Sequence, residues 1–283
     1  MSVMRLLVTG AAGMLGRDVV TAAGDAGLQG AALARADLDI TDAAAVRAAI
    51  LAARPEAVIN CAAWTDVDGA EAHEEDATAV NGAGAGNVAA AAAEAGARIV
   101  HVSTDYVFDG GASNPYTEGD PTGPRSAYGR SKLAGEQAVA AAGGTAAIVR
   151  ASWLFGPHGR NFVDTMLRLG AERDEIAVVD DQVGCPTYTG HLAPALVTIA
   201  EGGLTGVLHV AGGGRCSWLE LAEATFAEAG LACTVRPQST AALGRPAPRP
   251  AFSALAATRG DAPVLPPWRE GLRAHLARVE VTA

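Results

Sequence analysis

Five short apolar runs recur through the first half of the chain, each followed by an alanine-rich stretch of helical length. The runs are "RLLVTG" (5–10), "AALAR" (31–35), "AVINCAA" (57–63), "RIVHVS" (98–103) and "AAIVRASWLFG" (146–156). The intervening segments, roughly 14–26, 42–53, 81–95 and 127–142, read as helices. A strand that returns through a helix of this length lies parallel to its predecessor, and a parallel sheet is covered on both faces, so its strands are apolar throughout. The pattern therefore predicts an α/β fold with a parallel sheet. Such sheets bind ligands beyond the carboxyl ends of their strands. The polar residues at those ends are Gly10 onward, Asp39, Thr65 to Asp68, and Thr104 to Tyr106.

After residue 153 the alternation loosens. "GPHGRNFVDTMLRL" reads as a loop entering a helix, and "IAVVDDQVGCPTY" as a strand with a polar loop. "GVLHVAG" (206–212) reads as another strand before a helix near 217–230. "RPQSTAALGRPAPRPAFSAL" is proline-rich and irregular, suited to wrap over a substrate side, and "WREGLRAHLARV" closes as an amphipathic helix. We expect a nucleotide-binding domain over 1–153, rejoined by strands near 176–182 and 206–212, and a smaller, mostly substrate-binding region over 154–283.

The length of 283 residues, with 49% hydrophobic and 18% charged residues, suits one large domain with a sizeable core. A net charge of −10 without a basic run argues against nucleic acid as a partner. Cys61, Cys185, Cys216 and Cys233 are widely spaced, and neither they nor the six histidines show metal-ligand spacing, so no metal is expected. "MSVMRLLVTG" runs straight into a strand pattern and no stretch has membrane-spanning length, which leads us to expect a cytoplasmic protein.

"TGAAGMLGRDV" places Gly10, Gly13 and Gly16, with Met14 and Leu15 between the last two, at the first strand-to-helix junction. Glycines there let the backbone approach a pyrophosphate, whose charge then sits at the helix N-terminus. Dinucleotide binding follows, and with it a Rossmann-type doubly wound sheet. An acid after the second strand favours NAD, whereas an arginine accommodates the 2′-phosphate of NADP. Arg35 directly follows that strand and Asp39 comes later, so we expect NADPH, with NADH possible. In "SAYGRSKLAGE", Tyr128 and Lys132 are one helical turn apart and share a face. A nearby cation favours the phenolate, which would make Tyr128 a better proton-transfer group; alone, the pair could equally be a packed ring and a solvated amine.

With these pieces the chain resembles the extended short-chain dehydrogenase/reductases and, within them, the dTDP-4-dehydrorhamnose reductase family. The resemblance rests on "GAAGMLG", "LDIT", "NCAAWTDVDGAE", "VNGAGAGNVA", "VSTDYVFDG", "YGRSKLAGE", "SWLFGP", "DDQVGCPT" and "RPAFSAL", and spans nearly the whole chain. It implies NADPH-dependent reduction of the C4 keto group of a dTDP-4-keto-6-deoxyhexose. Tyr128 would donate the proton, Lys132 would lower the Tyr128 pKa and hold the nicotinamide ribose, and Thr104 would hydrogen-bond the carbonyl oxygen. Asp39 and Ile40 would border the adenine. Cys61, Ala62, Ala63 and Thr65 would lie along the cofactor. Thr65, Val67, Asp105, Tyr106 and Trp153 match sugar-contacting positions, although Trp153 could be an ordinary core aromatic. Gln182 and Pro186 belong to a segment shaping the substrate side.

Two departures limit the resemblance. Phe252 precedes Ser253 where the family usually has Asn, and Gly190 stands where a second acid, partner to Asp18, would complete a Mg²⁺-bridged dimer. A monomer or weak homodimer without bridging metal is therefore expected. The alternatives are a reductase of another nucleotide ketosugar, such as the dihydrostreptose precursor, and a non-catalytic subunit like the methionine adenosyltransferase β subunit. An epimerase or dehydratase of the same superfamily would keep its hydride on a bound cofactor.

Overall fold

A computed structural model describes residues 4–278; the first three residues of the N-terminal run and Val279 of the closing helical segment lie outside the described residues. Strands of four or more residues are β1 (Arg5–Thr9), β2 (Gln29–Leu33), β3 (Ala57–Asn60), β4 (Arg98–Thr104), β5 (Ala146–Ala151), β6 (Glu175–Val179), β7 (Gly206–His209) and β8 (Thr234–Gln238). The longer helices are α1 (Met14–Asp25), α2 (Ala43–Ala53), α3 (Ala85–Glu94), α4 (Ala127–Ala141), α5 (Phe162–Glu172), α6 (Thr189–Gly202), α7 (Trp218–Ala229) and α8 (Trp268–Leu276).

Six strands form one sheet in the order β7-β5-β4-β3-β1-β2, every neighbouring pair parallel. Side chains alternate across it. Leu6 and Val8 face a core completed by Leu15 and Val19 of α1 and Leu192, Leu196 and Ile199 of α6. Leu7, Val58 and Ile99 face Val46 and Ile50 of α2 and Val88 of α3. Strand order reverses at β1, with β2 on one side and β3 on the other, and a crevice opens at such a switch point. The glycine loop after β1 and Cys61–Ala63 after β3 both lie there.

The strand expected near 176–182 does not join this sheet. As β6 it spans Glu175–Val179 and pairs with β8 in a separate two-stranded ribbon. Its own residues explain why: Ile176 and Val178 are buried against Phe226 and Ala222 of α7, while Glu175 and Ala177, which alternate with them, are exposed. A strand with one wet face suits an edge ribbon better than a sheet packed on both sides. The proline-rich segment is likewise less irregular than expected, since its start, Arg236–Gln238, belongs to β8 and Thr240–Leu243 forms one helical turn.

Alanine-rich packing sets the position of α4. The "VNGAGAG" stretch begins with a wide π turn (Ala79–Gly84) before α3. Its glycines leave room for α4: a Cβ on Gly82 would sit 3.3 Å from the Ala134 methyl, and one on Gly86 3.1 Å from that of Ala138. From α4 itself, Gly135 lies directly against the Asn81 carbonyl. Ser126 caps α4 by accepting from Gly129 N–H at 3.0 Å. The helix is thus fixed both along its length and in rotation, which aims Tyr128 and Lys132.

Candidate active site

β4 ends at Thr104, and the chain turns at once through Asp105–Val107. The Thr104 hydroxyl stabilises the turn by accepting the Tyr106 N–H at 3.2 Å. The adjacent α4 brings Tyr128 beside it, and the Tyr106 and Tyr128 rings meet edge to face with centroids 5.6 Å apart. One turn further, Lys132 is buried and its Nζ donates to Val102 O at 2.7 Å. Lys132 also neighbours Cys61 and His101 closely enough to act on both electrostatically. Thr104, Tyr128 and Lys132 therefore form one cluster at the carboxyl end of the central strands.

The electrostatics differ from the sequence expectation. Burial pushes the Tyr128 phenol up to about 12; the Thr104 hydroxyl pulls it down and Asp105 pushes it further up. Lys132 does not act on the phenol here, because its ammonium is drawn to the Val102 carbonyl. Burial lowers Lys132 to about 8, against Glu136 and Cys61, which both raise it. Glu136 is itself held by a buried two-pronged bond from Arg150 (2.9 and 2.7 Å). Burial and the nearby Lys132 lower His101 far below the usual imidazole range, so it is neutral.

The glycine loop packs directly on the neighbouring strand end. Gly10 has φ +69°, and a Cβ there would fall 2.5 Å from Ala62 N. A Cβ on Gly16 would overlap the Gly10 carbonyl. Gly13 occupies the N-cap of α1 and offers no side-chain cap, leaving the N–H groups of Met14, Leu15 and Gly16 free of any side-chain acceptor. That is the chemistry of an anion cradle. Cys61–Ala63 line the opposite side, and burial pushes the Cys61 thiol up to about 12, so it is inert here. Arg35 is exposed and, among the described residues, forms no ion pair. Asp39 is held below its ordinary value, first by the Thr41 N–H and hydroxyl and to a smaller extent by Arg35. The Ile40 side chain is buried in the core against Gly84, and its carbonyl accepts from the Asn87 amide at 3.0 Å.

On the substrate side Thr65 is exposed and Val67 half-buried, opening the short helix Val67–Ala72. Trp153 is not an ordinary core aromatic. It is half-buried in the left-handed region at φ +47°. One face stacks on Trp218 with ring centroids 3.5 Å apart, and the Gly184 backbone lies so close that a Cβ would overlap the ring. Asp105 departs from the expected sugar contact: only 2% exposed, its carboxyl sits behind Thr104 among the Ser152 and Ser253 hydroxyls. Phe252, in place of the family Asn, packs beside Phe108 and Tyr116 with the Arg215 guanidinium 5.6 Å above its ring. At Gly190 the direction a side chain would take is filled by the Tyr188 ring, 2.5 Å away. Asp18 instead has His158 at 3.6 Å.

Several supporting residues escaped the sequence reading. Asn60 ties the strand ends together, its Oδ1 accepting from the Thr9 hydroxyl (2.7 Å) and from Ala62 N–H (3.2 Å). Asn81 accepts from Trp64 N–H (2.8 Å) and donates to the Ser131 hydroxyl (2.9 Å), which bonds the Tyr128 carbonyl (2.8 Å). Arg249 reaches from the proline-rich segment to Asp68 with two bonds (2.5 and 2.9 Å) and touches the Tyr106 phenol. Asn60, Asn81 and Arg249 lie within quoted motifs, but nothing local reveals the partner of Arg249 or of Trp218, which is distant in sequence.

The model of the RmlD substrate binding domain matches residues 4–281. A dTDP-4-dehydrorhamnose reductase of Streptomyces griseus is 46% identical over 278 residues, 95% of this chain and 91% of its own. A probable dTDP-4,6-dihydroxy-2-methyloxan-3-one 4-ketoreductase of Streptomyces antibioticus is also 46% identical, over 280 residues, 95% of this chain and 94% of its own. The crystal structure of a Bacillus anthracis dTDP-4-dehydrorhamnose reductase in complex with NADP superposes with a TM-score of 0.95 at 38% identity, covering 98% of this chain and all of that one.

Proposed function

The chain belongs to the family defined by the RmlD substrate binding domain, and from that premise we propose that it uses NADPH to reduce the C4 keto group of a dTDP-4-keto-6-deoxyhexose. The product is dTDP-L-rhamnose or a closely related dTDP-deoxysugar. The observation that carries this reading is continuity: the glycine cradle abuts Cys61 and Ala62, Cys61 neighbours Lys132, and the same helix places Tyr128 against Thr104. A dinucleotide laid along that path ends beside the hydroxyl cluster. The bare Cα atoms of Gly10, Gly13 and Gly16 and an Arg35 that forms no ion pair among the described residues fit a phosphorylated dinucleotide.

Bound there, the cofactor supplies a hydride to the carbonyl carbon; the protein manages the oxygen. Thr104 polarises the carbonyl, and Tyr128 gives its proton to the oxygen as negative charge builds. A phenol held near 12 remains protonated at neutral pH and is still a far stronger acid than the alcohol it creates, so the transfer runs downhill. Lys132, one helical turn along and bonded to the Val102 carbonyl, would hold the nicotinamide ribose through its charged ammonium, and water restores the proton.

Both relatives' names describe dTDP-4-ketosugar reduction, so the class is shared while the sugar is chosen by Thr65, Val67, Tyr106 and Trp153. The test is loss of reduced-nicotinamide absorbance with dTDP-4-keto-6-deoxy-L-lyxo-hexulose, with product identified by mass and chromatography. NADPH oxidation yielding dTDP-L-rhamnose supports the reading; binding of NADPH without reduction of any dTDP-4-ketosugar defeats it. Tyr128→Phe should lower kcat by at least ~100-fold, the low end for loss of a positioned acid, while NADPH affinity is kept. Wild-type turnover in that variant would mean the proton comes from elsewhere.

A further inference from the structure

Thr104 has one hydroxyl proton and two lone pairs to distribute. One lone pair takes the Tyr106 N–H, the Tyr128 phenol lies against the same oxygen, and the proton goes to Asp105 Oδ1 at 3.1 Å. A hydroxyl so committed has no proton left for a substrate carbonyl. Asp105 is 2% exposed, and both its Oδ2 and the Ser253 hydroxyl are buried without a geometrically sound hydrogen bond. The groups facing the carboxyl are the hydroxyls of Thr104, Ser152 and Ser253, the phenols of Tyr106 and Tyr128, and the Cys185 thiol. None is a cation; Arg249 and Arg215 act one layer out, on Tyr106 and Cys185.

We infer that Asp105 is a positioning residue that works in its protonated form, returning to the Thr104 hydroxyl the proton it needs to bond the substrate carbonyl. Carrying a proton, Asp105 donates to Thr104 Oγ1, Thr104 donates to the carbonyl oxygen, and Tyr128 is free to do the same. Ionised, it reverses the chain: Tyr128 donates to Thr104 and Thr104 to Asp105, leaving the carbonyl without Thr104. The surroundings favour the switch in the neutral range, since burial raises Asp105 to about 6 while the Ser253, Thr104 and Ser152 hydroxyls lower it. The inference rests on the reductase reading above.

The experiment is kcat/KM for the ketosugar against pH, with NADPH affinity measured in parallel as a check on folding. For the wild type, kcat/KM should fall about tenfold per pH unit above a midpoint near 6. A second fall should follow as Lys132 loses its proton near 8. Asp105→Asn, neutral at every pH, should lack the first fall and keep the second. Ser253→Ala removes a hydroxyl that lowers Asp105, so it should move the first fall to higher pH. A level wild-type profile below the Lys132 limb, a first fall that survives Asp105→Asn, or no upward shift in Ser253→Ala would overturn the inference and leave the reductase reading standing. Should Asp105→Asn fail to fold, the Ser253→Ala shift decides alone. No ketosugar turnover at any pH defeats the reductase reading and this inference together.

Discussion

The two flanks of the crevice are built on different principles. On the cofactor flank, backbone meets backbone: Gly10 against Ala62, Gly16 against the Gly10 carbonyl, Gly135 against the Asn81 carbonyl. On the substrate flank, side chains meet across long stretches of sequence. Arg249 bonds Asp68 from 181 positions away, Trp153 stacks on Trp218, and Gln182 donates to the Thr240 hydroxyl at 2.8 Å. A backbone-built flank presents a fixed surface to an invariant ligand and tolerates almost no added atoms. A flank built from side-chain pairs can be altered pair by pair, which suits a part of the site that must distinguish one sugar from another.

The contrast is tested most severely at Gly16. A methyl there overlaps the Gly10 carbonyl and comes within 2.9 Å of the Ala11 Cα, and the neighbours that would have to yield are backbone. Overpacking of this kind costs about 1–3 kcal/mol, and displacement of the N–H groups that cradle phosphate adds to it. Gly16→Ala should weaken NADPH binding by roughly 100-fold, equivalent to about 2.7 kcal/mol, measured by nicotinamide fluorescence titration. Wild-type affinity in this variant would show that the close approach of α1 to its loop does not serve the dinucleotide.

The same contrast explains what could be read from the sequence. A backbone constraint leaves a local mark, because glycine must occupy the position. The glycine loop was therefore visible in the sequence itself, whereas the small residues after β3 and the role of the Tyr128–Lys132 pair entered through the family resemblance. The alternation of apolar runs and helical stretches likewise gave five of the six strands of the main sheet in its first half. Pairs such as Asp68–Arg249 leave no local mark, since each member alone is an unremarkable charged residue. Asp105 was placed at the site from its position after β4, but its side chain turns behind Thr104 because Ser152 and Ser253, brought in by two other segments, receive it there. The β6 run failed for a different reason: apolar content marks a strand without saying which sheet it joins, and only the exposed Glu175 and Ala177 reveal an edge ribbon.

Arg249 offers a milder perturbation of the substrate flank. Its guanidinium holds Asp68 with two bonds and touches Tyr106, pinning the proline-rich segment to the loop that carries Thr65 and Val67. Arg249→Met keeps the stem and removes the charge, leaving Asp68 with the Arg245 guanidinium at 3.3 Å and the Ala247 N–H at 3.2 Å. Loss of a charged hydrogen-bonding partner costs about 1–3 kcal/mol where the pair is buried, and this pair is partly exposed. The expected effect is a rise of about tenfold in the KM for the ketosugar, with kcat and NADPH affinity changed by less than about threefold. An equal fall in kcat would mean the strap positions the reacting groups as well as the sugar, which would blur the division between the flanks.

Arg35 should give the smallest effect, and it refines the picture of the cofactor flank by asking whether any of its recognition rests on an exposed side chain. The residue is exposed, lies two positions after β2, and pairs with no acid among the described residues; Asp39 nearby is held chiefly by Thr41. A 2′-phosphate beside it would find a guanidinium whose pairing is screened by water, worth about 1 kcal/mol. Arg35→Ala should therefore raise the Kd for NADPH about fivefold to tenfold and leave that for NADH unaltered, and the difference should shrink as salt is raised, because screening weakens only the phosphate contact. Equal loss for both cofactors would assign Arg35 to the shape of the adenine end, and the choice of phosphate would then fall to the backbone of the turn it stands on.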